Sequence, residues 1–201
     1  MPAHENSRPE LSARGRKRRE LVVGSALLGF AGAGGVARAT GLVSGPAGSG
    51  TVLIENFSAD GKSLGASPVA RVVRTEAQWR GQLTALSFAV TRQAYTERPF
   101  SGEYDHLTAV GLYFCICCGT PQFDSRTKFD SGTGWPSFWR PISVHNIVQR
   151  ADDSLGMQRT EVACRRCDSH MGHVFDDGPA PTGLRYCMNS VALHFVAHDL
   201  A

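Results

Sequence analysis

Residues 115–118 are Cys-Ile-Cys-Cys and residues 164–167 are Cys-Arg-Arg-Cys, so the chain holds two Cys-x-x-Cys pairs separated by residues 119–163. A two-residue gap allows a tight turn to direct two thiolates at one metal ion. Two such pairs complete the tetrahedral sulfur shell that Zn²⁺ prefers in structural sites. The spacing therefore predicts one structural zinc per chain, which clamps two distant hairpins together. Its predicted ligands are Cys115, Cys118, Cys164 and Cys167.

Three other interpretations of these cysteines were weighed. Two disulfides would suit an exported protein, but a Cys-x-x-Cys pair has poor geometry for a purely structural bridge. His170 or His173 could serve as zinc ligands because they continue the three-residue spacing of the second pair, yet four thiolates already close the shell. A redox-active Cys115 and Cys118 would need a βαβ context, which the sequence pattern does not show.

Outside the two pairs, short apolar runs alternate with turn signals, as is typical of antiparallel β-structure. Strands are predicted at residues 112–116, 147–150, 159–163, 173–175, 184–190 and 191–196. A helix is predicted before them, with Thr75 as its N-cap and Gln78 in the capping-box position. It would run to about Leu86 and bury Trp79, Leu83 and Leu86. We expect a mainly β domain, with two small antiparallel sheets or a partly open barrel, one or a few short N-terminal helices and the zinc clamp.

The N-terminal segment has the pattern of an export signal. Residues 14–19 are rich in arginine and lysine, residues 21–36 are apolar but diluted by glycine, and Ala37-Arg38-Ala39 supplies small residues for cleavage. With its Arg18-Arg19 pair the segment is similar to a bacterial twin-arginine signal. We expect cleavage after Ala39 and export to the periplasm, with only transient contact with the membrane. The alternative is a membrane anchor over residues 21–36, although this run is short and glycine-rich for a span of about 20 residues.

Most of the positive charge belongs to this segment. Residues 1–39 hold seven of the 21 basic and three of the 18 acidic residues, which leaves 14 basic and 15 acidic residues in the remainder. Residues 40–201 are nearly neutral and lack the positive charge that a phosphate-binding protein presents. No nucleic-acid partner is therefore expected. The same balance argues against a zinc-ribbon binding module without catalysis, which would present a basic face.

Three parts are predicted along the chain. Residues 1–39 form the signal peptide, residues 40–74 form a linker or N-terminal arm, and residues 75–198 form the main domain, which we expect to be a monomer. Within the arm, Val52-Leu53-Ile54 and the turn at Asp60-Gly61-Lys62 predict a hairpin or an extended segment. A twin-arginine route would export the domain folded, with zinc already bound.

Cys187 is the candidate nucleophile. The strand pattern around it places Arg185, Cys187 and Asn189 on one face. A thiol between a cation and an amide donor predicts a lowered pKa and a stabilised thiolate. An inert core cysteine is the alternative, and the flanking arginine and asparagine count against it.

Two further stretches stand out. His170 and His173 bracket Gly172 directly after a Cys pair, and two imidazoles so fixed are suited to moving protons. Trp135 lies in a loop whose glycines and Pro136 would hold it rigidly. Its indole would either wall an apolar pocket or fill the core, and the spacing does not decide between them.

Taken together these residues resemble the type B methionine sulfoxide reductase family. The similarity runs from Val90 to about Phe195. Its most specific segments, besides the two Cys pairs, are Ser131-Gly132-Thr133-Gly134-Trp135-Pro136-Ser137-Phe138, His170 to Phe175, and Arg185 to Ser190. The resemblance implies that residues 75–198 are a catalytic domain that reduces methionine-(R)-sulfoxide in proteins or peptides.

The resemblance also implies roles for the candidate residues. The Cys187 thiolate would attack the sulfoxide sulfur, while His170 and His173 supply or orient the proton for the oxygen. Asn189 would help to position this polar cluster, and Trp135 would pack against the substrate methyl group. Methionine then leaves and Cys187 becomes a sulfenic acid, which a thioredoxin-like protein or another thiol reduces. Arg185 would tune the thiolate or order water near the substrate, and the metal would lie away from the active site.

One departure from the family pattern affects the reductive half of the cycle. Many relatives carry a resolving cysteine in the Gly-x-Gly-Trp loop, where this chain has Thr133. Cys117 could take that role, but it lies between two predicted zinc ligands, and the sequence leaves the matter open. Our hypothesis is a one-cysteine cycle in which an external thiol reduces the sulfenic acid of Cys187 directly.

Overall fold

The computed structural model describes residues 50–156 and 158–198. The predicted signal peptide, its cleavage site after Ala39 and the alternative anchor over residues 21–36 lie outside these residues. Within the described ranges, no helix is long and apolar enough to cross a membrane.

This part of the chain contains eleven β-strands and two short α-helices. The elements are, in chain order, β1 Thr51–Phe57, β2 Ser63–Ala70, α1 Glu76–Gln82, α2 Ala85–Gln93, β3 Gly111–Cys115, β4 Pro121–Asp124, β5 Lys128–Phe129, β6 Ser137–Phe138, β7 Ile147–Asp152, β8 Arg159–Cys164, β9 His170–Phe175, β10 Arg185–Met188 and β11 Leu193–Ala197. Three-residue 3₁₀ turns connect several of the strands.

Helix α1 begins as the sequence predicts. The Thr75 hydroxyl accepts a hydrogen bond from the backbone N–H of Gln78, and the Gln78 side chain accepts one from the backbone N–H of Thr75. This reciprocal pair satisfies two of the donors that a helix start leaves free. Trp79 is buried, as expected.

The prediction of one helix through Leu86 is wrong. The chain becomes extended at Leu83, and a second helix, α2, begins after Thr84. The Thr84 hydroxyl accepts a hydrogen bond from the backbone N–H of Ser87, so a second N-cap interrupts the helical pattern. As a result Leu86 turns away from the core and is 44% exposed, whereas Leu83 packs against the core.

Two antiparallel sheets form the body of the domain. One has six strands in the order β5-β6-β10-β9-β8-β7, and the other has three strands in the order β11-β3-β4. The predicted mainly β architecture with short N-terminal helices is confirmed. Strand β9 begins at His170 rather than at His173, and β10 ends at Met188 rather than at Ser190. The short strands β4, β5 and β6 were not predicted from the sequence.

Aromatic side chains pack the two sheets against each other. Phe123 on β4 stacks on Phe138 of β6 with ring centres 4.4 Å apart, and Tyr113 on β3 meets Phe138 edge-on at 5.0 Å. Tyr186 on β10 adds its ring next to Phe123 at 5.9 Å. Such pairs stabilise a core beyond the burial of their area. The aromatic core therefore fixes β10 against the smaller sheet.

The N-terminal arm forms the hairpin β1–β2 and docks on the domain. The backbone N–H of Glu55 donates to the side-chain oxygen of Asn146 at 2.9 Å, and the Asn146 amide donates to the Glu55 carbonyl at 3.0 Å. Val72, two residues after β2, makes a further contact with the domain: its backbone N–H donates to the carbonyl of Arg166 at 2.9 Å. Of the two alternatives for this segment, the hairpin is correct.

Candidate active site

Cys187 lies on β10, near the middle of the six-stranded sheet. In the register of that sheet it pairs with Ser137 on β6 and His173 on β9, and His173 pairs with Glu161 on β8. Directly opposed residues of antiparallel strands project from the same face. The sheet therefore aligns a row of side chains across one face: Ser137, Cys187, His173 and Glu161.

A pocket of about 140 Å³ opens beside Cys187. This is roughly the liquid volume of four or five water molecules, so the pocket accepts the end of one side chain. Its lining is Thr96, Trp135, Arg159, Gly172, His173, Phe175, Cys187, Met188 and Asn189. Four of the predicted site residues meet here, namely Cys187, His173, Asn189 and Trp135. His170 and Arg185 do not line this pocket.

The expected lowering of the Cys187 pKa is wrong. Burial raises the pKa of this thiol above its ordinary value, and the Arg185 charge and the hydroxyls of Thr133 and Ser137 oppose the shift without cancelling it. Arg185 is largely committed elsewhere, because its guanidinium donates two hydrogen bonds of 2.8 Å to Asp177. The resting site therefore holds a neutral thiol.

His173 is oriented by a carboxylate. Its Nε2 lies 2.7 Å from Oδ2 of Asp152, and Arg159 donates to the same oxygen at 2.8 Å. Burial lowers the pKa of His173, an effect that Asp152 partly opposes, so the ring is neutral near pH 7. We assign the proton of the neutral ring to Nε2, because a carboxylate accepts hydrogen bonds and does not donate them. Nδ1 then carries the lone pair and can accept a proton.

His170 forms a second pair of the same kind. Its Nδ1 lies 2.8 Å from Oε1 of Glu161, and the residue is only 5% exposed. The rings of His170 and His173 are neighbours, with centres 5.4 Å apart and an angle of 64° between their planes. Within the described residues, Nε2 of His170 is buried and has no hydrogen-bond partner. The structure thus brings both predicted histidines together. His173 is the direct cross-strand neighbour of Cys187, and His170 is next to His173.

The loop that carries Trp135 is held by hydroxyl contacts. Ser131 Oγ lies 2.8 Å from both Thr133 Oγ1 and Ser137 Oγ, and Thr133 Oγ1 lies 4.0 Å from the Cys187 sulfur. Gly134 is in the left-handed region at φ +86°, and a Cβ there would meet the backbone of Phe100 at 2.6 Å. The loop is therefore rigid, and Trp135 lines the pocket rather than filling the core.

Glu97 connects Asn189 and Trp135, two of the pocket residues that lie outside β9 and β10. Its backbone N–H donates to Oδ1 of Asn189 at 2.9 Å, and its carbonyl accepts a hydrogen bond from the Trp135 indole at 3.1 Å. Asn189 also donates to the Met171 carbonyl at 3.0 Å. Both polar groups of the Asn189 amide are thus used within the fold, which fixes the residue as a rigid part of the pocket wall.

The Glu97 carboxylate is itself buried, with 2% of the residue exposed. It accepts hydrogen bonds from the backbone N–H groups of Ser190 at 2.7 Å and Val191 at 3.0 Å. Burial raises the pKa of Glu97, while these two N–H groups favour the charged form. Glu97 therefore anchors the chain where it leaves β10.

A cluster of four sulfur atoms lies at the ends of two hairpins. The Sγ atoms of Cys115, Cys118, Cys164 and Cys167 all lie within 4.8 Å of one another. The Cys115–Cys167 and Cys118–Cys164 sulfur distances are 3.6 and 3.5 Å. Sulfurs at the corners of a tetrahedron with metal–sulfur bonds of about 2.3 Å would be about 3.8 Å apart. The four residues therefore suit a structural metal site, and they are the four that the spacing predicted.

The other interpretations of the cysteines do not match this geometry. None of the six cysteines forms a disulfide, so no disulfide links the two pairs. His170 and His173 are bound to carboxylates and do not belong to the cluster. Cys117 is buried with its sulfur 3.5 Å from the Ser169 hydroxyl, and it lines neither the pocket nor the cluster.

A model of a known protein family, the SelR domain, matches residues 83–197, which is more than half of the chain. The chain belongs to this family. The family match covers both helix α2 and all the strands of the two sheets.

The activity of the family is indicated by the curated relatives of this chain. The chain is 52% identical over 129 residues to a peptide methionine sulfoxide reductase MsrB of Hahella chejuensis, which covers 64% of this chain and 93% of the relative. It is 54% identical to the MsrB of Pseudomonas fluorescens, over 64% of this chain and 98% of the relative. The MsrB of Chromohalobacter salexigens is 54% identical, over 62% of this chain and 95% of the relative. The predicted resemblance is confirmed, and the SelR-domain chain is a methionine sulfoxide reductase.

Sequence reasoning missed the carboxylates that orient this MsrB site. Glu97 and Glu161 lie in segments that carry the family resemblance, which was a signal for their importance but not for their partners. Asp152 gave no local signal, because its contact with His173 depends on how β7, β8 and β9 pair. Asp177 likewise meets Arg185 only when the chain folds back after β9.

Arg185→Met should raise the Cys187 pKa further, because the substitution removes the guanidinium charge that opposes the effect of burial. We expect alkylation of Cys187 by iodoacetamide to slow by roughly two- to fivefold at neutral pH. The rate is measured from pH 6 to 10 by mass spectrometry of the peptide that contains Cys187. Arg80→Met removes an exposed cation from α1 and is the control. Superimposable profiles for Arg185→Met and the unmodified enzyme would contradict the assigned role of Arg185.

Proposed function

We propose that this enzyme reduces methionine-(R)-sulfoxide in proteins and peptides, with Cys187 as the nucleophile. The observation that carries the proposal is the pocket beside Cys187. Of the six cysteines, Cys187 is the one that lines it, together with the indole of Trp135 and the imidazole of His173. The methionine sulfoxide side chain has four non-hydrogen atoms beyond its Cβ, which matches a volume of about 140 Å³.

The chemistry balances without an external proton. The sulfur of Cys187 bonds to the sulfoxide sulfur, and the protonated oxygen leaves as hydroxide when the sulfur–oxygen bond breaks. That hydroxide then bonds to the Cys187 sulfur, while the new sulfur–sulfur bond breaks and methionine leaves. The sulfoxide is reduced to methionine, and the Cys187 thiol is oxidised to a sulfenic acid. Because burial keeps the resting thiol protonated, the proton that the departing oxygen requires is already in the site. It must move from sulfur to oxygen during the attack.

His173 is the group that supports this transfer best. It is the direct neighbour of Cys187 across the β9–β10 ladder. Its Nε2 is held by Asp152, which leaves Nδ1 to accept the thiol proton and to return it to the oxygen. His170 packs beside His173 with its Nδ1 held by Glu161, and it helps to fix the His173 ring in place.

Trp135 and Asn189 shape the pocket for the substrate. The indole supplies an apolar wall for the methyl group, and its N–H is tied to the Glu97 carbonyl, so its position is fixed before substrate arrives. Asn189 is fixed in the same way by Glu97 and Met171. A wall that does not move favours one arrangement of methyl and oxygen about the sulfur, which supports selection of one epimer.

Turnover of the two epimers tests the proposal. We expect blocked methionine-(R)-sulfoxide to be reduced under excess dithiothreitol and the S epimer to be inert, with methionine release followed by chromatography. Cys187→Ser should reduce turnover to background, because the hydroxyl is a far weaker nucleophile. Cys117→Ser should retain turnover and serves as the control. Reduction of both epimers, or activity that survives in Cys187→Ser, would contradict the proposal.

We propose that the four-sulfur cluster binds one zinc ion in a structural role. The donor set is all thiolate, and Gln122 and Thr120 place polar atoms 3.3 and 3.2 Å from the sulfurs of Cys164 and Cys118. Hydrogen bonds from neutral groups to the thiolate sulfurs stabilise the negative charge of such a shell. The ion would connect the β3–β4 and β8–β9 hairpins and would take no part in the sulfur chemistry.

Metal analysis of the purified chain should give one zinc per chain. Cys164→Ser should lose the zinc and lower the unfolding temperature by 10 °C or more, an order of magnitude expected when binding and folding are coupled. Zinc content is measured by mass spectrometry and unfolding by circular dichroism. Cys117→Ser changes the cysteine next to two ligands and should keep its zinc. A zinc-free protein, or equal losses in the two variants, would contradict the proposal.

We propose that an external thiol, such as that of a thioredoxin-like protein, reduces the sulfenic acid. One thiol forms a mixed disulfide with Cys187 and releases water, and a second thiol of the donor then displaces the Cys187 thiol. Two observations support this cycle. Thr133 occupies the position 4.0 Å from the Cys187 sulfur. Cys117 is 2% exposed and outside the pocket.

Thr133→Cys should convert the enzyme to a two-cysteine cycle, because the new thiol would lie close to Cys187 on the pocket loop. After one turnover without reductant, we expect the unmodified enzyme to lose one thiol and to react with a sulfenic-acid probe. The variant should lose two thiols and form an intrachain disulfide. Mass spectrometry after denaturation distinguishes these products. A Cys117–Cys187 disulfide in the unmodified enzyme would contradict the one-cysteine cycle.

A further inference from the structure

A groove of about 730 Å³ runs from the active-site pocket along the same face of the sheet. One wall is the segment Gln93–Thr96, which follows helix α2, and the other is the segment Ala151–Ser154 at the end of β7. The groove and the pocket share Thr96, Arg159 and His173. A polypeptide whose oxidised methionine enters the pocket would therefore continue into this groove.

The groove has an excess of negative charge. Its lining contains three carboxylates, those of Asp152, Asp153 and Glu161, and one guanidinium, that of Arg159. Asp152 is paired with His173 and Arg159, and Glu161 is paired with His170. Asp153 is exposed and has no ion-pair partner among residues 50–156 and 158–198. Its charge is thus available to a ligand.

The opposite wall offers an aromatic ring. Tyr95 is 57% exposed, and it follows Ala94, which is in the left-handed region at φ +53° and ends α2. Tyr95 and Asp153 thus place an exposed aromatic ring and an exposed carboxylate in the lining of one groove. Lysine and arginine match both surfaces, since their cations bind aromatic faces and carboxylates alike.

The floor of the groove includes the buried imidazole of His170. His170 lines the groove and is only 5% exposed, yet its Nε2 has no hydrogen-bond partner among the described residues. With Nδ1 held by Glu161, this nitrogen is placed to accept a hydrogen bond. Nε2 exposes less than 1 Å² of surface, so a peptide in the groove does not reach it and His170 contributes only to the shape of the floor.

We infer that the groove binds the residues next to the oxidised methionine and that Asp153 and Tyr95 select substrates with lysine or arginine beside it. This inference rests on the proposed function and adds a preference for sequence context. The pocket recognises the sulfoxide, and the groove recognises the chain that carries it.

The test uses blocked pentapeptides with a central methionine-(R)-sulfoxide that is flanked on both sides by lysine, by glutamate or by serine. A blocked single methionine-(R)-sulfoxide is the minimal substrate. We expect kcat/KM at low salt to be about fivefold higher for the lysine peptide than for the glutamate peptide, as for an exposed ion pair. The ratio should approach one as salt is raised, because exposed charges are screened.

Substitutions at Asp153 and Tyr95 test whether these two residues cause the preference for the lysine peptide. Asp153→Asn should bring the lysine-to-glutamate ratio close to one, and Asp153→Lys should invert it, while turnover of the minimal substrate stays unchanged. Tyr95→Ala should reduce kcat/KM for the lysine peptide more than for the serine peptide. Glu103→Gln is the matched control, because Glu103 is an exposed carboxylate that lines neither cavity. Its ratio should equal that of the unmodified enzyme.

Equal kcat/KM for the lysine and glutamate peptides would overturn the inference, as would a preference that persists in Asp153→Asn. Binding of the labelled peptides to Cys187→Ser, followed by fluorescence anisotropy, tests the groove without turnover. Suppose that the unmodified enzyme did not reduce the minimal substrate, but that Cys187→Ser still bound the lysine peptide more tightly than the glutamate peptide. The proposed function would then fail and the groove assignment would hold. Equal binding of the two peptides would overturn the groove assignment in either case.

Discussion

The pairing of β9 with β10 brings the groups of the active site together. Gly172 pairs with Met188, and a Cβ at position 172 would lie 2.1 Å from the backbone oxygen of Cys187. Any larger residue would push the two strands apart and separate His173 from Cys187. The backbone ladder, and not a direct bond between the two side chains, therefore holds the imidazole next to the sulfur.

The four-sulfur cluster lies at the turn that joins β8 to β9. Cys164 ends β8 and its N–H donates to the carbonyl of Ser169 at 2.9 Å, so the cluster closes the turn that leads into β9. His170 and His173 follow within this strand. The cluster, which does not line the pocket, therefore lies directly before the strand that carries both histidines.

Local signals in the sequence predicted the fold class, the four clustered cysteines and the first helix cap. They predicted the helix end poorly, because Thr84 forms a second cap in a stretch whose apolar spacing suits one helix. The direction of the Cys187 pKa was wrong, because flanking residues are visible in a sequence and burial is not. The pairing of Asp152 with His173 could not be predicted, since it depends on the register of three strands.

The buried, neutral thiol of Cys187 has a consequence for survival of the enzyme under oxidative stress. Peroxides and other small oxidants react with thiolates, and a thiol that stays protonated reacts slowly with them. In the proposed mechanism the sulfur becomes nucleophilic when its proton passes through His173 to the oxygen of a bound sulfoxide. The resting enzyme is thereby shielded from direct attack by these oxidants, and its exposure to them is confined to the sulfenic acid of the proposed cycle.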